Sequence, residues 1–339
     1  MTASRILASR FSRRTLLQTG AGAGLATLAR KSLAAAGPLE KGKLIAAIPV
    51  DAASFLPIYL AAGRTWKAQG LDIELTAFRG DAEVSQALIG GSIDFSIQSA
   101  DGLINMLNTN QPVIAFYAGF HQSDYAWLAQ PSIKSWDALK GKTAGVSTFG
   151  SATDQLTRYA LRRHGLVPEK DVQIVQAGPP ASIAQALKSE RLAVGILAPP
   201  MNWIVADGGL NILGSQGEEI APQWPKHVFV AKKKFLDDNP NTVRAILAAH
   251  VAAIRLARAD RALVVATYME RLKFQKPYAE RACDAIVPGY DERGSLPDPK
   301  SMEVFWSLQI ERGEAKEPWP NARILDDRFI RTFAEWAPM

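Results

Sequence analysis

The stretch KLIAAIPVDAASFLPIYLAAGRTWKAQGLDIELTAF, residues 43–78, changes its apolar period twice. Leu44 to Val50 is a short apolar run, the length of one buried strand. From Pro57 to Gln69 the apolar side chains Ile58, Ala61, Ala62 and Trp66 recur on one side of a helix. From Leu71 to Phe78 they alternate, Leu71, Ile73, Leu75 and Ala77, as they do along a half-buried strand. Strand, helix and strand in such close succession form the βαβ unit of a parallel sheet.

Working outward, the alternation continues. Asp81 opens a helix with Val84, Ala87 and Leu88 on one face, and Gly90-Gly91 closes it. Asp94 to Gln98 reads as a strand, Gly102 to Leu107 as a helix, and Val113 to Gly119 as a strand. The same order then restarts. Thr143 to Ser147, Val172 to Gln176 and Leu192 to Leu197 are strand-like. Between and after them come helices at Ser151 to His164, Ser182 to Glu190 and Pro200 to Asp207. Ser151-x-x-Asp154 predicts a capping box. The remainder is helical in pattern, with Val243, Ile246, Leu247, His250 and Ile254 on one face and Met302, Phe305, Trp306 and Ile310 on another. Tyr125 to Ala129 and His227 to Ala231 flank the second unit and read as a pair of crossing strands. The fold class expected is α/β, mainly parallel, with two doubly wound lobes about a hinged cleft. Residues 37–124 and 225–339 build lobe I, and residues 125–224 form lobe II, inserted in it.

Upstream of residue 37 the composition differs. Arg5, Arg10, Arg13, Arg14, Arg30 and Lys31 occur with no acidic residue. An apolar run lies between Leu16 and Ala29, and Ala34 to Ala36 supply a small-residue cleavage signature. These are the three parts of a secretory signal, expected over residues 1–36. Ser12-Arg13-Arg14-Thr15-Leu16-Leu17-Gln18 resembles the twin-arginine export motif, which carries folded proteins to the periplasm. The chain has 39 Lys and Arg against 33 Asp and Glu, and six of the basic residues belong to this segment. The remainder is formally neutral, so the pI near 9.3 describes the export tag and not a nucleic-acid or anionic-membrane binder. Cys283 is the single cysteine, which excludes an intramolecular disulfide.

The chemistry-bearing patterns are sparse. Gly20-Ala21-Gly22-Ala23-Gly24 lies in the export segment, where a dinucleotide loop has no preceding strand. Gly145-Val146-Ser147-Thr148-Phe149 lacks the second Gly of a nucleophile elbow. The four histidines, 121, 164, 227 and 250, have no partners at metal-ligand spacing, and each reads as structural. No enzyme activity, metal or cofactor is expected. What recurs is the helix start preceded by small or polar residues. Such starts gather at the carboxyl edge of a parallel sheet, where solutes bind, and about half of them are expected to touch one. Phe55 and Phe149 lie inside these polar turns. Trp203 is counted with them, although a ring of that size is as readily explained by core packing.

The chain resembles the substrate-binding proteins of nitrate/sulfonate/taurine-type ABC importers, a group that includes thiamine-precursor binders. The likeness is carried by Phe55-Leu56-Pro57-Ile58-Tyr59-Leu60-Ala61, by Gly70 to Leu75, by Ala87 to Phe95, by Leu139 to Val146 and by Asp171 to Val175. It implies a type 2 periplasmic binding fold and delivery of a small solute to a permease driven by an ATPase subunit, by a monomer. By position, the ligand turns it implies are Ser54-Phe55, Gly80-Asp81, Ser99-Ala100-Asp101, Phe149-Gly150-Ser151 and Pro199-Pro200. Two positions depart from the family pattern. Ala193 stands where an Asp is frequent, and Arg79-Gly80-Asp81-Ala82 replaces a small Gly/Ser loop. An Asp at the second turn either repels an oxyanion or caps its helix; carboxylates and neutral heterocycles stay open. An enzyme on the same fold, resembling pyrimidine synthases, and a solute sensor that docks on a membrane receptor are the alternatives. The lone Cys283 and the export segment oppose the enzyme.

Overall fold

The structure, a computed structural model, describes residues 37–338; the export signal expected over residues 1–36 lies outside them. Ten strands run in chain order as β1 (Lys43–Ile48), β2 (Asp72–Ala77), β3 (Phe95–Gln98), β4 (Val113–Gln122), β5 (Ala126–Ala129), β6 (Lys142–Val146), β7 (Val172–Gln176), β8 (Val194–Leu197), β9 (Asn211–Ser215) and β10 (Gln223–Lys232). They form two five-stranded sheets, β2-β1-β3-β10-β4 and β7-β6-β8-β5-β9. The two orders are the same. Each sheet has a parallel trio, and each has one antiparallel strand in fourth place, β10 in one and β5 in the other. That strand is the one the chain forms on arriving from the other sheet. It enters from the end where the parallel strands finish, so it can only run against them. The sheets are therefore mixed, where the sequence pattern pointed to mainly parallel pairing.

The central parallel strands β3 and β8 are buried throughout because helices cover both faces, whereas the edge strands β2 and β7 alternate. Helix 56–68 has a π-turn at Ala61–Thr65, where the Thr65 hydroxyl donates to the Ala249 carbonyl at 2.7 Å. Helix Pro240–Ala259 packs beside it and buries Val243, Ile246, Leu247 and Ile254 against the first sheet. A second apolar cluster runs behind the cleft through both lobes, with Trp127 of β5, Val228 of β10 and Phe305 of helix Pro299–Glu311 in it. Full burial of one such side chain contributes about 1.5–3 kcal/mol. The short strand β9 and the helix Gln216–Glu219 after it have no period long enough to betray them in sequence.

The helix starts differ in detail from the expected ones. Ser99, and not Asp101, is the cap of helix Ala100–Asn108, its hydroxyl accepting from Gly102 N at 3.2 Å. Helix Pro180–Lys188 begins two residues before Ser182. The capping box at Ser151 is not formed. The Ser151 hydroxyl donates to the Thr148 carbonyl at 2.7 Å, and Asp154 accepts from Gly150 N at 2.9 Å. A tight turn ahead of the helix offers both side chains nearer partners than the helix itself.

Gly294 shows how the loop beyond Tyr290 is held. Its φ is +73°, its carbonyl accepts from Ala118 N at 2.9 Å, and a Cβ there would overlap the buried Tyr117 ring. Gly294→Ala is expected to cost about 2–4 kcal/mol, from left-handed strain plus overpacking. Urea unfolding checks this; a loss below 0.5 kcal/mol would mean that the loop swings clear.

Candidate functional site

Between the sheets lies a cavity of about 90 Å³. That is room for about six waters or one small organic molecule. Residues from both lobes line it. Pro49 and Val50 follow β1, Ser99 follows β3, Ser147 follows β6 and Ala198 follows β8. These are the carboxyl ends of parallel strands, where an α/β sheet opens to a solute. Trp224, Lys226 and His227 close the back from β10. The β10–β4 ladder shifts register on both sides of His227. A bulge re-aims side chains, so Lys226 and His227 both face the cavity although they are neighbours in sequence.

The lobe I wall combines a carboxylate with an aromatic pair. Asp81, the first residue of helix Asp81–Gly90, accepts from the Ser99 hydroxyl at 2.8 Å and from Ser99 N at 3.3 Å. Burial is the largest influence on it and pushes its carboxyl from the ordinary 3.8 up to about 6; the Ser99 bonds pull the other way, and Asp101 adds to the rise. The folded value stands above the unfolded one. The stability contributed at this group is therefore complete below about pH 4 and is lost as pH rises through about 6. Phe55 stacks flat on His227, with ring centroids 4.0 Å apart and planes 9° apart. Ser54 Oγ lies 3.2 Å from His227 Nε2. Burial first, and then the neighbouring Lys226 charge, hold His227 well below its ordinary value, so the ring is neutral at pH 7.

Lys226 pairs with Asp124, which precedes β5, and sits 4.2 Å from the centre of the Tyr125 ring. The two side chains are only 9% and 3% exposed. This buried pair joins the two places where the chain passes between the sheets. From lobe II, Ser147, Ser151 and Thr153 form a triangle of hydroxyls 2.7–3.0 Å apart. The remaining walls are apolar, with Val50, Ala52, Ile183 and Ile196 among them.

Of the residues expected from sequence, Ser54, Phe55, Gly80, Asp81, Ser99 and Ser151 line this cavity together. The others lie elsewhere. Ala100 is in the core, and Asp101 is buried, accepting from Gln309 Nε2 at 2.9 Å and Trp224 Nε1 at 3.4 Å. Phe149 is 51% exposed, and Gly150 spends its N–H on Asp154. Pro199 gives way to its neighbour Ala198. Trp203 packs on lobe I at the cleft mouth, with the Arg281 guanidinium 4.4 Å from its ring centre. Arg281 also lies 3.9 Å from Asp207, and a Cβ on Gly80 would meet Thr148 Oγ1 at 3.3 Å, so the lobes touch at both ends of the cleft. Sequence reasoning passed over Lys226, Trp224 and Thr153, placed Tyr125 only among the aromatics near the turns, and read His227 as structural although its place near a crossing gave it a better claim to a site than His164 or His250. The available signal was the Pro225-Lys226-His227 interruption of an otherwise apolar strand. Among the described residues no group of three His, Cys, Asp or Glu could hold a metal ion.

Residues 52–261 match the family model described as NMT1/THI5 like. The Bacillus subtilis protein YtlA is 30% identical over 195 residues, 56% of this chain and 58% of YtlA. The taurine-binding periplasmic protein of Escherichia coli is 26% identical over 181 residues, 53% of this chain and 55% of that protein. The chain thus spans about half the length of the curated relatives it matches. The periplasmic nitrate-binding protein NrtA of Synechocystis PCC 6803 superposes with a TM-score of 0.73 at 16% identity, covering 88% of this chain and 90% of that one. At that identity the likeness is one of fold.

Proposed function

The chain belongs to the NMT1/THI5-like family, and we propose that it is the extracytoplasmic solute-binding component of an ABC importer. One observation carries the reading: both sheets, built in the same order, present their strand ends to one small cavity between them. In this reading residues 1–36 direct export to the periplasm by the twin-arginine route. Residues 37–124 with 225–339 then move as one body against residues 125–224. The hinge is the pair of passages near Asp124 and Gln216–Gln223, a small set of residues that absorb the rotation. A solute bridging Asp81 and Ser99 on one side and Ser151 and Thr153 on the other stabilises the closed form, because only that form lets it touch both walls. The closed form is what a permease, coupled to its ATPase, recognises; the binding protein acts as a monomer and returns the solute chemically unchanged.

The test is a thermal-shift screen of the purified chain against small acids, sulfonates, heterocycles and amines, followed by recovery of the bound compound. A specific solute at a hundredfold its Kd stabilises the fold by about 2.7 kcal/mol. It is expected to be recovered intact. Conversion of the compound would replace this reading with an enzyme, and a screen without a single shift would count against binding.

A further inference from the structure

Resting on that solute-binding reading, we infer that the solute is a nitrogen base or amide that donates a hydrogen bond to Asp81, and not an oxyanion. Three observations converge on this. Asp81 faces the cavity with both oxygens fixed by Ser99, and among the described residues no cation pairs with it. The Lys226 charge, the single Lys or Arg among the described residues lining the cavity, is already matched by Asp124. The third observation is a proton count on the lobe II hydroxyls. Ser151 gives its proton to the Thr148 carbonyl, which leaves the Ser147 and Thr153 protons for the three contacts of the triangle. Two protons do not fill three contacts, and Ser147 N already donates into Thr153 Oγ1. The triangle is therefore short of donors, and a solute that only accepts gains little from it. A carboxylate on one wall and a donor-poor hydroxyl cluster on the other match a ligand rich in donors. A nitrate or sulfonate would meet like charge on the Asp81 wall, a mismatch that costs more there than in bulk water. The apolar walls around Phe55 and Ile183 take the body of the molecule.

Asp81 also holds Ser99 in place, a job an Asn could do at lower desolvation cost. The ionised side chain is a standing penalty to the fold, and a ligand donor gives that penalty a use.

Isothermal titration of the purified chain at pH 7.5 separates the cases. One set of probes is propylamine, benzamidine and nicotinamide; the other is nitrate, methanesulfonate and acetate. At least one of the first set is expected to bind at least tenfold tighter than any of the second. Asp81→Asn should weaken it by about thirtyfold, the worth of a charge-assisted bond, while the melting temperature stays level or rises. If Asp81→Asn does not fold, Ser99→Ala serves instead. It frees one carboxylate oxygen, the backbone N–H still donating to the other, and should weaken the same probe by less than thirtyfold. Tighter binding of an oxyanion, unaltered binding by the variant, or a lowered melting temperature of folded Asp81→Asn overturns the inference and leaves the solute-binding reading standing. Silence from all six probes counts against both.

Discussion

Ser151→Trp is expected to remove solute binding altogether while leaving lobe II folded. Ser151 lies in the cavity wall at the start of helix Ala152–Arg163, and the space beyond it is about 90 Å³. An indole at this position has two places to go. Outward it meets the Thr148 carbonyl, within hydrogen-bond distance of the present hydroxyl. Inward it finds the cavity, whose apolar walls Val50, Ala52, Ile183 and Ile196 accommodate it. The ring therefore occupies the solute's volume from within its own lobe. The loss of the Ser151 hydroxyl bonds costs the fold about 1–2 kcal/mol, and burial of the ring offsets much of that. Calorimetry with any solute found in the screen should show no measurable heat of binding, with the circular dichroism spectrum unchanged. Retained affinity would mean that the solute sits away from this turn.

The second large effect concerns the hinge. Lys226→Met leaves Asp124, only 3% exposed, without its partner. Breaking a buried pair from one side typically costs 3–5 kcal/mol, because the surviving charge is stranded out of water. The same holds for Asp124→Leu. The double variant Lys226→Met with Asp124→Leu strands nothing, and it is expected to recover most of the loss, so the coupling in a double-mutant cycle exceeds either single cost, at about 5 kcal/mol or more. Urea midpoints for the four proteins measure it. Single variants that cost less than 1 kcal/mol would show that water reaches the pair. Because Lys226 on β10 and Asp124 ahead of β5 belong to the two passages between the sheets, the double variant should also change how easily the lobes open. A faster exchange of amide protons in residues 123–125 and 216–223 would report this.

Most of the architecture was legible in residues 43–119 and 143–207, where the apolar period switches between two and three and a half and the helix starts carry small polar residues. The strands β1, β2, β3, β4, β6, β7 and β8 follow from that alternation. β9 did not, being five residues long with no alternation to read. The cavity was legible only as far as turns are local objects. Ser54, Asp81, Ser99 and Ser151 were found because each precedes or opens a helix. Asp101 has the same appearance in sequence, yet it points to Gln309 and Trp224, since at the third residue of its turn the helix has already rotated the side chain to the core side.

The chain's own letters determined the α/β alternation, the positions of the turns and the charge balance, because these depend on neighbours within a few residues. Which turns share a wall was settled only by the packing of the two sheets. Lys226 and His227 reach the cavity through a register shift against β4, more than a hundred residues earlier in the chain. The pairing of Lys226 with Asp124, and the proton count among Ser147, Ser151 and Thr153, exist only once the chain has closed on itself. A hydrogen bond is a matter of ångströms, and residue order alone does not contain distances.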